Sequence, residues 1–210
     1  MVKKISRVPF EQLSPESTGV IGLYSQPISY VDLEEEVELE TWDCTGNVVK
    51  PWQSRQQALD RGIKSWSNPI TGPIYIKGAD PGDTLLVEIL EIKLSDNGFT
   101  SISQGVTPLN LYIEQSKTRF CEVIGSHIHF INEKGHDIII DSEPFIGTIG
   151  VSPSSEAVST ITPGNHGGNM DCIDIHEGSL LMLPVSRPGA LFSLGDVHAV
   201  QGDGEISGTA

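Results

Sequence analysis

Two glycine-bracketed blocks in the last quarter of the chain gather the side chains best suited to acid–base or metal chemistry. The first, Gly164-Asn-His-Gly-Gly-Asn-Met-Asp171, has three glycines in five residues and folds as a sharp loop, because glycine takes positive φ and lets backbone N–H groups approach a ligand. The second, Gly195-Asp-Val-His-Ala-Val-Gln-Gly-Asp-Gly-Glu205, alternates as a strand until Gly202. Asp196 and His198 then share one face, and the turn through Gly202 and Gly204 returns Glu205 toward it. Leu194, Val197, Ala199 and Val200 flank them with apolar groups on both sides, as in a strand buried on both faces, and buried charges have to be paired or coordinated. Carboxylates and an imidazole beside a glycine turn suit a metal site or a general acid–base pair. Plainer readings stand beside these: Asp171 as an Asx-turn cap, Asp203 as a turn residue, and Asp196 with His198 as an outward polar pair.

The remaining candidates are weaker. His127-Ile-His129 puts two imidazoles on one strand face and, with Glu133, reproduces a fragment of the metal-binding signature of cupins, but the glycines that bracket that signature are missing. A solvent-facing pair is the competing reading. His166 lies inside the glycine loop and could line a pocket, whereas His136 and His176 read as turn residues. Cys44, Cys121 and Cys172 are an odd number without C-x-x-C spacing, which fits a reducing compartment and small buried side chains. Cys172, next to Asp171, is a conceivable nucleophile with no supporting signature.

These side chains need a scaffold, and the sequence describes a β-rich one. Residues 1–36 read as an irregular segment, with Pro9, Pro15 and Pro27 excluding a long helix. Residues 37–210 read as the β-rich domain. Val37–Trp42 alternates as a half-buried strand that runs into a turn at Asp43–Gly46. Ser54–Ser65 is predicted as the one helix, with Ser54 as N-cap and Gly62 weakening its end. Ile74–Ile76 and Thr84–Leu94 flank a Pro-Gly turn and form a hairpin or a corner. Cys121–Asn132 and His136–Ile140 bracket a second hairpin, and Phe145–Val151, Ser179–Val185 and Ala190–Val200 are three more strands. Many short strands with regular turns favour an all-β sandwich or barrel.

Composition limits the partners. The chain has 210 residues, is 38% hydrophobic and carries a formal charge of −15, with a pI near 4.6. That charge argues against a phosphate backbone as ligand. No signal-peptide run opens the chain and no stretch approaches the ~20 apolar residues of a membrane span, so a cytoplasmic, membrane-free protein is expected. Abundant strand edges predict pairing with a second copy, as a homodimer.

Four segments, in order, resemble the acetamidase/formamidase family of small-amide hydrolases. They are Asn68-Pro-Ile-Thr-Gly-Pro-Ile-Tyr-Ile-Lys-Gly-Ala-Asp-Pro-Gly-Asp83, Pro144-Phe-Ile-Gly-Thr-Ile-Gly-Val-Ser-Pro153, and the two glycine-bracketed blocks. The family's pattern continues past the segment that here reads Ile206-Ser-Gly-Thr-Ala210, so the β-rich domain is expected to be incomplete at its C-terminal side. The resemblance implies a mainly β, sandwich or barrel-like amidase fold with one or two short helices, and hydrolysis of formamide or acetamide to carboxylate and ammonia. A primary amide is a poor electrophile with a poor leaving group, and no Ser-Lys or nucleophile-elbow motif is present, so a metal-activated water is the expected nucleophile. Asp171, His198 and Asp43, the last in an element like the family's own, would bind a divalent cation, zinc on the strength of the imidazole and calcium as the alternative. Glu205 or Asp196 would serve as base and then acid. Backbone N–H groups of Gly167 and Gly168, with Asn165 or Asn169, would hold the oxyanion. Two other classes compete: a non-catalytic metal- or ligand-binding β domain, and a cupin-like metalloenzyme using His127 and His129.

Overall fold

The computed structural model describes residues 2–14, 18–22, 26–64, 67–102, 104 and 107–208. Among these, fifteen strands accompany a single short α-helix. The N-terminal half contributes β1 (Lys3–Ile5), β2 (Val20–Gly22), β3 (Ser29–Val31), β4 (Val37–Leu39), β5 (Ile70–Ile76), β6 (Thr84–Glu88) and β7 (Asn97–Ile102). The C-terminal half contributes β8 (Lys117–Ile124), β9 (His127–Ile131), β10 (Asp137–Asp141), β11 (Phe145–Gly150), β12 (Ala157–Ser159), β13 (Gly167–Asn169), β14 (Leu180–Pro184) and β15 (Phe192–His198). No helix among the described residues is long and apolar enough to cross a membrane.

A five-stranded sheet in the order β13-β11-β15-β5-β3 forms the centre. All its pairs are antiparallel except β3 with β5. Nearly every residue of β5, β11 and β15 is buried, which explains why these strands read as apolar and small runs rather than as clean alternation. Ile74, Ile146, Ile149, Phe192 and Leu194 from this sheet join Ile5 of β1 and Leu85 and Leu183 of the β6–β14 pair in one core cluster. The sandwich expectation is met in this layering. The barrel-like alternative is not, since the strands fall into separate sheets and none closes on itself.

Outside the core, β7 to β10 form an antiparallel meander. The predicted hairpin at Glu133–Gly135 joins β9 to β10, and the strand predicted over Cys121–Asn132 is broken by a turn at Gly125–Ser126 into β8 and β9. The turn at Ala79–Asp83 is a corner, because β5 stays in the central sheet while β6 pairs with β14.

The described residues of 1–36 are not wholly irregular. They contain β1, β2 and β3, each three residues long and each paired with a strand from elsewhere, β1 with β4, β2 with β12 and β3 with β5. Three residues are too few for alternation to register, and such pairing is invisible locally. The helix is shorter than predicted, Arg55–Asp60, with Ser54 and Gln57 completing a capping box. Arg61 caps its end and Gly62 follows with a φ of +75°; Ser65 lies outside the described residues.

Close backbone approach holds β13 against β11. A Cβ on Gly150 would sit 2.6 Å from the His166 carbonyl oxygen and 3.0 Å from the Gly168 nitrogen, whereas a Cβ on Gly98 in the meander would meet nothing within 4 Å. In urea unfolding, Gly150→Ala is expected to destabilise the protein by about 1–3 kcal/mol. Gly98→Ala should stay within about 0.5 kcal/mol of the parent.

Candidate metal centre

His198 ends β15, Asp196 lies two residues before it, and Asp171 follows β13 two strands away in the same sheet. One ligand atom from each falls within 4.8 Å of the others. His198 Nε2 is 3.4 Å from Asp171 Oδ1 and 3.6 Å from Asp196 Oδ2, and the side chains are 4%, 18% and 9% exposed in the order His198, Asp171, Asp196. These are ion-pair separations rather than hydrogen bonds. Asp171 Oδ1 and both His198 ring nitrogens have no hydrogen-bond partner although all three atoms are buried. Orphaned donor atoms that converge in this way are the arrangement a cation would satisfy.

Two neighbours shape the space. The Phe145 ring stacks on His198 with centroids 4.7 Å apart and planes 13° from parallel, which fixes the imidazole plane. Gly147 of β11 faces the cluster: a Cβ there would lie 2.6 Å from His198 Nε2 and 2.7 Å from Asp171 Oδ1. Glycine therefore keeps open the space that the two donor atoms share.

A buried amide chain holds the carboxylates. Asn68 Nδ2 donates to Asp196 Oδ2 and to Asn169 Oδ1, both at 2.7 Å; Thr148 Oγ1 donates to the same Asn169 oxygen at 2.7 Å; and Asn169 Nδ2 donates to Asp171 Oδ2 at 2.8 Å. Gln201 Nε2 ties down the Asp171 backbone carbonyl at 3.0 Å. Asn68, Asp171 and Asp196 have φ of +46°, +44° and +54°. Asn and Asp tolerate this region better than other residues with a side chain, but it still costs energy, and such strain collects at functional sites.

Electrostatics follow from this packing. Burial pulls the His198 pKa down, but the Asp171 and Asp196 carboxylates outweigh it and push the imidazole from 6.5 up to about 10. Burial also pushes the Cys44 thiol well above 9.0, with Asp196 and Asp43 adding to the effect, Arg55 opposing it and Glu205 adding again. Asp43 and Glu205 thus act on the same corner as Asp196, around a thiol held neutral.

The structure brings together three of the residues singled out from the sequence, Asp171, Asp196 and His198, and redistributes the rest. Asp43 is not in the cluster. Its Oδ1 accepts from the Thr45 N–H, the Thr45 hydroxyl and the Asn47 N–H at 2.7–2.8 Å, an Asx-type turn, and Asp196 rather than Asp43 stands with Asp171 and His198. Gly167 cannot serve as an oxyanion donor because its N–H donates to the Gly164 carbonyl, and Gly168 stands opposite Ile149 in the β11–β13 ladder. Asn165 is exposed on the loop, whereas Asn169 joins the amide chain. Glu205 is half-buried in the turn beyond β15, with φ +39°. His166 is buried beneath the loop, apart from the cluster, and burial lowers its pKa. Cys172 is half-buried and packs against the core.

The cupin-like arrangement is absent. Glu133 pairs with Lys117 at 2.6 Å and Arg119 at 3.0 Å, while His129 and His127 pair with Asp137 and Asp141 on the exposed meander. Sequence reasoning missed Asn68, Thr148 and Gly147. The available signal was their position within the two central motifs, where an asparagine before a proline and a glycine inside a strand are hard to justify as structure alone.

The model of the Acetamidase/Formamidase family matches residues 26–159 and 154–210. A formamidase of Methylophilus methylotrophus is 25% identical, over 98% of this chain and 64% of its own length. An acetamidase of Mycolicibacterium smegmatis is also 25% identical, over 66% of this chain and 48% of its own. The crystal structure of an acetamidase from Bacillus halodurans superposes with a TM-score of 0.82 at 32% identity, over 97% of this chain and 64% of that one. The chain thus spans about half to two thirds of the length of these relatives. With the family model matching most of its length, this chain belongs to the Acetamidase/Formamidase family.

Proposed function

We propose that this chain carries the centre of an amidase that hydrolyses the C–N bond of small linear amides, formamide and acetamide among them, to a carboxylate and ammonia. The observation that carries the reading is the buried Asp171–Asp196–His198 cluster, with its unpartnered donor atoms, in a chain of this family. One imidazole and two carboxylates suit zinc, with calcium as the alternative for a more oxygen-rich set. A bound divalent cation would supply the positive charge that activates water and polarises an amide carbonyl.

The protein's own groups do the rest. Asn68 and Asn169 each pin one carboxylate oxygen, which leaves Asp171 Oδ1 directed at His198 Nε2. Phe145 covers one face of the imidazole and keeps water from it. Glu205, in the turn beyond β15, is assigned as the base that takes a proton from the attacking water and returns it to the departing nitrogen. A homodimer formed through strand edges fits β10, which lies at the edge of the meander with all five residues exposed.

Ammonia release from formamide and acetamide tests the reading. The zinc-supplemented chain should turn over, chelator should abolish turnover, and His198→Ala should lower kcat/KM by about a hundredfold or more, the scale at which a ligand or its supporting partner acts. Gly147→Ala should do the same without unfolding the protein, because its methyl would fill the space between the donor atoms. A folded, metal-loaded chain that releases no ammonia would leave a binding domain instead.

The metal-free chain should also show a defined pH response. Because the folded His198 pKa is raised from 6.5 to about 10, its stabilising contribution is complete below about pH 6.5 and is lost as pH rises through about 10. Urea unfolding of chelator-treated protein should show stability falling across that window, and the His198 ring proton shift should not titrate near neutrality.

A further inference from the structure

The cluster opens onto a cleft of about 2120 Å³ bordered by Asp196 and His198. This is far more room than formamide or acetamide needs, since pockets for much larger ligands are ~300–1,000 Å³. Part of its lining is apolar, formed by Leu39, Ile146, Leu194 and Val197 near the cluster and by Ile128 and Phe130 of the meander. Its charge is one-sided. Ten carboxylates line it against three Lys or Arg cations, with Glu34, Glu36, Glu38 and Glu40 from one stretch of chain and Glu88 and Glu91 from another. Part of the surplus is paired, Glu38 with Lys4 at 3.0 Å and Glu91 with Lys93, and the carboxylates still outnumber the cations. Arg7 lies 3.9 Å above the Trp42 ring and donates to the Thr41 carbonyl, Lys50 donates to Asn47 Oδ1 at 2.6 Å, and Lys93 is held 3.0 Å from Glu91. His198, only 5% exposed and with ring nitrogens that lack hydrogen-bond partners, borders the same cleft, so a substrate held there lies beside the cluster.

We propose that this cleft selects amides by charge, admitting those whose substituent is apolar or cationic and rejecting those whose substituent carries a carboxylate. The inference rests on the amidase reading and names the substrate class of that site. Carboxylates around a low-dielectric surface focus a negative potential along the route to the cluster, and a substrate anion must travel against it. An apolar substituent gains from covering Leu39, Ile146 and Val197. The same field acts on the products. Water adds its oxygen to the carbonyl carbon, the C–N bond breaks, and the nitrogen leaves with the transferred proton, so a neutral amide becomes a carboxylate that the rim repels and an ammonium that it does not.

The test compares three primary amides matched in length, hexanamide, 6-aminohexanamide and the monoamide adipamate, with formamide and acetamide as references. At about 0.02 M salt the zinc-supplemented chain should hydrolyse adipamate with kcat/KM at least about tenfold below hexanamide, and the gap should shrink to about threefold or less at about 0.5 M, where the Debye length is only a few ångströms. 6-Aminohexanamide should match or exceed hexanamide at low salt. Replacing Glu36 and Glu88 together by Gln should narrow the gap and leave acetamide turnover unchanged. Adipamate turned over like hexanamide at low salt, or a gap that neither salt nor the double replacement alters, would overturn charge selection while the amidase reading stood. Hydrolysis of none of the five amides would overturn both.

Discussion

Two carboxylates and an imidazole are buried inside a β core, and much of the structure around them answers that constraint. An isolated ionised group in such a place costs many kcal/mol, so the three must be compensated from close by. His198 lies between Asp171 and Asp196 and is driven toward its charged form by them. The Asn68–Asn169–Thr148 chain gives each carboxylate a hydrogen bond, and the positive-φ backbone at Asn68, Asp171 and Asp196 is the strain accepted to point them inward. The compensation is incomplete, since Asp171 Oδ1 and the imidazole nitrogens lack hydrogen-bond partners. Buried donor atoms left without partners in this way are ones a cation would satisfy.

The fold supplies the rigid support. β11, β13 and β15 are neighbours in one sheet, and each contributes to or directly precedes the site: Gly147 and Thr148 on β11, Asn169 at the end of β13 just before Asp171, Asp196 and His198 on β15. Asn68 reaches in from the residues before β5, the strand on the far side of β15. Glycine at 147 and 150 allows the approach, in one case of donor atoms and in the other of a neighbouring backbone. Groups positioned by adjacent strands hold geometry better than groups carried on free loops, which favours catalysis over loose ion binding.

Much of this could be read from the sequence. The alternation through Asp196 and His198 and the apolar residues on both sides identified a buried charged strand, and β15 is that strand. The predicted strands after Pro73 reappear with altered bounds, β5 longer than predicted, β10 shifted by one residue and others shortened or divided, and the mainly β class with one short helix stands. What the sequence hid was long-range. Asn68 lies 128 residues from the carboxylate it holds, and its place before a proline could mark it as unusual but could not name that partner. Asp43 had the right residue type but spends its Oδ1 on its own turn. Gly167 had the flexibility for an oxyanion donor, yet its N–H closes the loop instead. The three-residue strands of the N-terminal segment exist only through partners far along the chain.

The proposed amidase reading rests first on a cation held by Asp171, Asp196 and His198. Calorimetric titration of zinc into the chelator-treated chain, beside Asp171→Asn, tests that requirement most directly. One ion bound per chain, with affinity lowered at least about tenfold in the variant, is the expected result, because replacing a ligand or its supporting partner commonly costs that much. Equal affinity in both proteins, or no binding by a folded parent chain, would contradict a metal centre at this cluster.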